Sequence, residues 1–108
     1  MKIYRIFPMI WYSSREQAHR TVYGIEPEPE RGSEEWLNTN VRSAGADSKD
    51  PLYMENRCYT QVLLNGEPVT WRKIPEWLTL IMANGYSLYG DTAAEVPKPN
   101  KSFYIVLN

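Results

Sequence analysis

This chain of 108 residues has one cysteine and one histidine, and nowhere an apolar run of the ~18 residues that would span a bilayer. Each shortage excludes something. With Cys58 as the only thiol no intramolecular disulfide can form, so a reducing, cytoplasmic setting is expected. With His19 as the only imidazole, a zinc site of the usual His and Cys composition cannot be assembled, and no metal or cofactor is expected. The opening "MKIYRIFPMIWY" begins like a secretion signal, but Arg5 and Pro8 break the apolar run and no small-residue cleavage site follows. Neither a leader nor a membrane segment is expected. Net charge is also scarce: 12 Lys and Arg against 13 Asp and Glu leave −1, which argues against an electrostatic nucleic-acid binder and equally against an acidic mimic of DNA.

Aromatics are the opposite case. Four Trp, eight Tyr and two Phe make 13% of the chain, and such side chains dominate cores and interfaces alike. At this length one domain, 1–108, is expected, large enough to hold a core without metal or disulfide.

Along the chain, residues 2–12 read as a strand. Ile3, Phe7, Met9 and Trp11 fall on one face and Tyr4, Ile6 and Ile10 on the other, which suits an interior strand. Pro8 lacks a donor, so a bulge or an edge position is expected there. In "SSREQAHRTVYGI", Ser13 with Glu16 or Ser14 with Gln17 fits a capping box and predicts a short helix, giving way to an extended stretch at 21–25. A loop-rich insert is expected over about 26–56. Its "EPEPE" favours extended backbone, Ser33 could cap a short helix to about Val41, and "RSAGADSKDP" reads as a loop.

The second half is patterned more sharply. "CYTQVLLNGEPVTW" is a hairpin on an Asn65-Gly66 turn, pairing Leu64 with Glu67 and Leu63 with Pro68. The proline marks 67–71 as an edge strand. "IPEWLTLIMANG" predicts the main helix over about 75–84, with Pro75 opening it, Trp77, Leu78, Leu80 and Ile81 as its apolar stripe, and Gly85 as its stop. Tyr86–Thr92 and Ser102–Leu107 complete the strands. The fold class is α+β: an antiparallel or mixed sheet of about five strands, with this helix and one or two short ones on one face.

Catalytic constellations are missing. His19 lies in a polar stretch and reads as a surface residue; Cys58 opens a strand and reads as a small core residue. A Cys–His nucleophilic pair would have to be these two, which is the weakest functional reading. No Gly-x-Ser-x-Gly occurs, and "NGYSLYGDT" follows a helix where a phosphate loop would precede one. Asp47 and Asp50 lack a calcium loop's ligand alternation. Glu26, Glu28, Glu30, Glu34 and Glu35 read as a solvated acidic face.

What remains is contact with another macromolecule. Trp36, Tyr53 and Met54 stand among acidic and small polar residues, as interface anchors do, although Trp36 fits equally a side chain folded back to cover the sheet; Glu34, Glu35 and Tyr89 join them as candidate protein-binding residues. The expectation is a small non-enzymatic protein–protein interaction module. In size and aromatic content it is similar in style to accessory and inhibitor proteins of phages and mobile elements. A nucleic-acid-binding or regulatory module with a folded basic and aromatic surface is the alternative, less favoured. A second copy of the chain stands among the admissible partners, at the sheet edge opposite Pro68.

Overall fold

The computed structural model describes residues 2–13, 17–32, 35–45, 58–89 and 101–107. Their strands are β1 (Lys2–Ser13), β2 (Ala18–Glu26), β3 (Val41–Gly45), β4 (Cys58–Leu64), β5 (Glu67–Pro68), β6 (Tyr86–Tyr89) and β7 (Phe103–Leu107). The helices are α1 (Glu35–Thr39) and α2 (Ile74–Ala83), with a single 3-10 turn at Trp71–Lys73. All pairings are antiparallel, in the order β3-β4-β2-β1-β7-β6, with β5 joined to β4 off that path. The fold is therefore an α+β sheet with one main helix, and the sheet is larger than the five strands expected.

Two strands account for the difference. Residues 18–26, expected in part as helix, are a strand paired with β1 from Arg5↔Glu26 to Ser13↔Ala18. The β-branched and aromatic residues Thr21, Val22, Tyr23 and Ile25 outweigh the capping-box pattern, whose Ser14 and Glu16 lie outside the described residues. Residues 41–45, expected as the end of a helix and a loop, are β3. "VRSAG" has little strand preference of its own, and its conformation is fixed from outside by the ladder to β4.

The proline positions follow from ladder geometry. Leu63 N–H donates to the Asn40 carbonyl at 2.8 Å, while Val62 offers its carbonyl to Val69 N–H on the opposite side at 3.1 Å. Leu63 and Gln61 thus face β3, and Val62 faces away from it. Carried across through Gln61↔Gly24 and Gly24↔Phe7, this alternation turns the Pro8 nitrogen away from β2, towards the side where β7 has already ended at Ile6↔Phe103. Pro8 therefore deprives no partner strand. The strand expected over 67–71 has only two residues. It fills the space beside β4 on the side of β2, to which Thr70 bridges at Val22, and the ends of the main sheet are β3 and β6.

The Asn65-Gly66 turn has φ of 53° and 80°, the left-handed pair that a two-residue hairpin requires. Gly85, at φ 91°, stops α2; Asn84 closes the helix with its own N–H on the Ile81 carbonyl and its side chain on that of Leu80. The buried stripe of α2 is Ile74, Trp77, Leu78 and Ile81, the i, i+3, i+4, i+7 set. Leu80, expected within it, is 37% exposed. With Tyr4, Ile6, Tyr23, Ile25, Val62, Phe103 and Ile105 this stripe forms the core, each fully buried large side chain contributing roughly 1.5–3 kcal/mol. Leu37 of α1 joins the core, and Trp71 of the 3-10 turn packs against it. Every described helix therefore lies on one face of the sheet, called here the inner face. No described helix is long and apolar enough to cross a membrane.

Candidate functional site

The period of two along each strand decides what the other, outer face carries. From β1 it receives Ile3, Arg5, Phe7 and Met9; from β2 Val22, Gly24 and Glu26; from β4 Tyr59, Gln61 and Leu63; from β7 Tyr104 and Val106; from β6 Ser87 and Tyr89. The register lines four of these up in one row across the strands, Tyr89, Tyr104, Arg5 and Glu26. At the usual strand spacing the row is about 14 Å long. Tyr89 is 45% and Tyr104 44% exposed, among the most exposed large apolar side chains described.

Arg5 is braced from three directions. One guanidinium nitrogen lies 2.6 Å from Glu26 Oε1, another donates to Ser102 Oγ at 3.2 Å, and the charged carbon sits 5.1 Å from the centre of the Phe7 ring. The ion pair is largely exposed and so worth at most about 1 kcal/mol. Its effect here is geometric: it holds a planar, five-donor group in place beside two tyrosines. Lys2 and Glu30, 3.0 Å apart, make a parallel tie between β1 and the segment after β2.

Beside that row runs a second, Phe7, Gly24, Gln61 and Arg42. A Cβ at Gly24 would lie 2.5 Å from Phe7 Cζ and 3.1 Å from Tyr59 Cδ2, so the Phe7 ring occupies the space that a side chain would need. Gln61 is fully buried, a rare state for an amide, and both ends are satisfied: Nε2 donates to Tyr59 Oη at 3.0 Å and Oε1 accepts from Arg42 Nε at 2.9 Å. The outer face is thus an ordered band of Tyr89, Tyr104, Arg5, Phe7, Tyr59 and Arg42, crossing the sheet from β6 to β3.

The residues singled out in the sequence are not gathered in one place. Tyr89 belongs to the outer band. Trp36 belongs to the inner side: half-buried against the core, its ring is 6.3 Å from that of Tyr86. Its carbonyl accepts from Thr39 Oγ1 at 2.8 Å and from Asn40 Nδ2 at 2.7 Å, which ties down the short α1. Glu35 opens α1, while Glu34, Tyr53 and Met54 lie outside the described residues. His19 is exposed near the start of β2, and Cys58 begins β4 opposite Gly45. Among the described residues, no three His, Cys, Asp or Glu side chains could share a metal ion. Sequence reasoning missed Arg5, Tyr59, Gln61 and Tyr104. The alternation in "KIYRIFPM" and "FYIVL" could have put Arg5 and Tyr104 on the outer face, but only the register makes them neighbours of Tyr89.

One other concavity, of about 300 Å³, lies where Arg20 approaches the Asn65-Gly66 turn, with Glu67, Pro68, Thr70 and Lys73 around it. Its two cations are offset in part by Glu67, and no catalytic pair is present in it. The chain matches no protein-family model, no curated protein and no solved structure.

Proposed function

We propose that this is a protein-binding module that uses the outer face of its sheet, with Tyr89, Tyr104 and Arg5 as anchors. The observation that supports this is the row in which two nearly half-exposed tyrosines stand beside an arginine already fixed by Glu26, Ser102 and Phe7. Tyrosine and arginine are the residue types that carry binding energy at interfaces. Ordering them in the free protein lowers the entropy lost on association. A near-neutral charge suits a partner recognised by shape and apolar area more than one recognised by field. Trp36 and Glu35 would then bear on a partner only where α1 contributes to the contact. An accessory or inhibitory role in a cytoplasmic setting fits this reading.

The test is site-specific photocrosslinking in the native host. A benzophenone side chain at Tyr104 should yield one predominant protein adduct, which persists in high salt. The same probe at Thr79, on the exposed side of α2, should yield none. Equal crosslinking from both positions would overturn the assignment of the face. Adducts to nucleic acid, lost as salt rises, would replace it with the stacking alternative.

A further inference from the structure

The two ends of the sheet differ in how much main chain they turn outward. β6 has four residues, of which only Tyr86 and Leu88 turn their main chain outward, by the alternation that pairs Ser87 with Val106 and Tyr89 with Tyr104. β3 is different. Because Leu63 donates to Asn40, the pairs Arg42–Gln61 and Ala44–Tyr59 exchange the ladder bonds with β4, while Val41, Ser43 and Gly45 turn their N–H and C=O groups the other way. Among the described residues no strand pairs with that side. Natural edges are blunted by proline, lysine, bulges or very short strands. Over Val41–Gly45 there is neither proline nor lysine, and the register to β4 runs unbroken through five pairs.

We propose that the β3 edge pairs with the β3 edge of a second copy of this chain, antiparallel about a two-fold axis midway between the two Ser43 residues. The strand is complementary to itself in that register. Ser43 of one copy lies opposite Ser43 of the other, Val41 opposite Gly45, and Arg42 opposite Ala44. Each outward-facing residue meets an outward-facing residue, so the pairs Ser43–Ser43, Val41–Gly45 and Gly45–Val41 all exchange both main-chain bonds. The only charged residue in the strand meets an alanine, so the two arginines do not oppose each other. A shift of one residue would set outward groups against the inward groups of the other copy, so the geometry selects this register or one shifted by two. A shift of two leaves fewer pairs, because the strand has only five residues. A two-fold contact of this kind is closed, so assembly stops at the dimer. It joins two six-strand paths into one sheet and leaves both outer faces clear.

The test is Ser43→Pro in the full chain, with mass in solution followed by sedimentation equilibrium over a range of concentrations. Wild-type protein should reach twice the 12.6 kDa mass of the chain. Ser43→Pro removes an outward N–H and no bond to β4, so the variant should remain monomeric while its thermal midpoint falls by no more than about 5 °C. Ala44→Pro, which removes an inward donor, should lower the midpoint by more. Tyr104→Ala should stay dimeric, which separates this interface from the outer-face reading. Should Ser43→Pro fail to fold, amide exchange in the wild type decides the matter. The Val41, Ser43 and Gly45 amides should gain protection as concentration rises, while the Arg42 and Ala44 amides stay protected throughout. A wild type that is monomeric at all concentrations, a Ser43→Pro variant that is still dimeric, or Val41, Ser43 and Gly45 amides that exchange equally fast at all concentrations would each overturn the proposal.

Discussion

The two faces of this sheet are built from the same kinds of residue and put them to different uses. On the inner face Tyr4, Tyr23, Phe103 and Trp77 are buried to the last few per cent, and three of their rings are in contact: Tyr23 with Phe103, and Phe103 with Trp77. On the outer face Phe7 and Tyr59 are half-buried, and Tyr89 and Tyr104 are nearly half exposed. The inner face is sealed by apolar contact with α2. The outer face is ordered by polar ties instead: Arg5 to Glu26 and Ser102, and Gln61 to Tyr59 and Arg42. Aromatic content therefore does not by itself distinguish a core from a contact surface. What distinguishes them is whether the ring is held by packing on all sides or stands beside a charged or amide group that keeps it in place while one side stays open.

The sharpest way to break this comparison is at Trp77. It is fully buried, and its indole N–H has no hydrogen-bond partner among the described residues. Trp77→Ala should cost about 3–5 kcal/mol, the range for large cavities in cores. Trp77→Phe should cost clearly less, about 1–2 kcal/mol, because the smaller ring also removes an unsatisfied donor. Denaturant titration of the three proteins measures both. Equal losses for the two variants would mean that the N–H is satisfied in solution and that the inner face is not purely apolar.

Between the two faces, the fold was partly legible in the sequence and the site hardly at all. Local chemistry settled α2, where Pro75, the apolar spacing and Gly85 all agree, and it settled the Asn65-Gly66 hairpin with its register. Apolar residues on both sides of 2–12 and 102–107 pointed to interior strands, and β1 and β7 are both interior. β3 could not be read, because "VRSAG" becomes a strand only through its ladder to Cys58–Val62. β2 was read half right: its strand formers were seen, but a local capping pattern competed with partners 5 to 21 residues away. The outer band is a product of register. Arg5, Tyr104 and Tyr89 are far apart in the chain, and no spacing rule relates them; two independent pairings must be correct before they share a row. Trp36 shows the converse, since its surroundings in sequence are polar while its ring lies against Tyr86.

A smaller effect is expected at Gly24, the point where the outer face is packed most like a core. An added methyl would stand 2.5 Å from the tip of the Phe7 ring, and the ring in yielding moves from its seat against Arg5. Gly24→Ala should therefore cost about 1–3 kcal/mol. Shortening the obstacle should recover part of this: in a Phe7→Leu background the same substitution should cost at least about 0.5 kcal/mol less. A double-mutant cycle by thermal or denaturant unfolding reads the coupling directly. Strict additivity would show that Phe7 does not depend on Gly24 for its seat, and the outer band would lose its central support.

The smallest effect on stability, and the most informative about use, belongs to Glu26→Gln. The Arg5–Glu26 pair is exposed by 40% and 56% of its two side chains, so the substitution should change stability by less than about 0.5 kcal/mol. Its consequence for binding depends in sign on what the outer face recognises. If Arg5 is a pre-ordered anchor for a protein, releasing it makes the partner bear the cost of ordering the guanidinium, and affinity for the crosslinked protein should fall several-fold at unchanged salt dependence. If the face stacks single-stranded bases, the same substitution removes a negative charge from the band and frees a cation for phosphate. Affinity for an oligonucleotide should then rise, and its dependence on salt should steepen. The two readings of the band thus predict opposite signs for one conservative change, measured on a protein whose fold that change leaves intact.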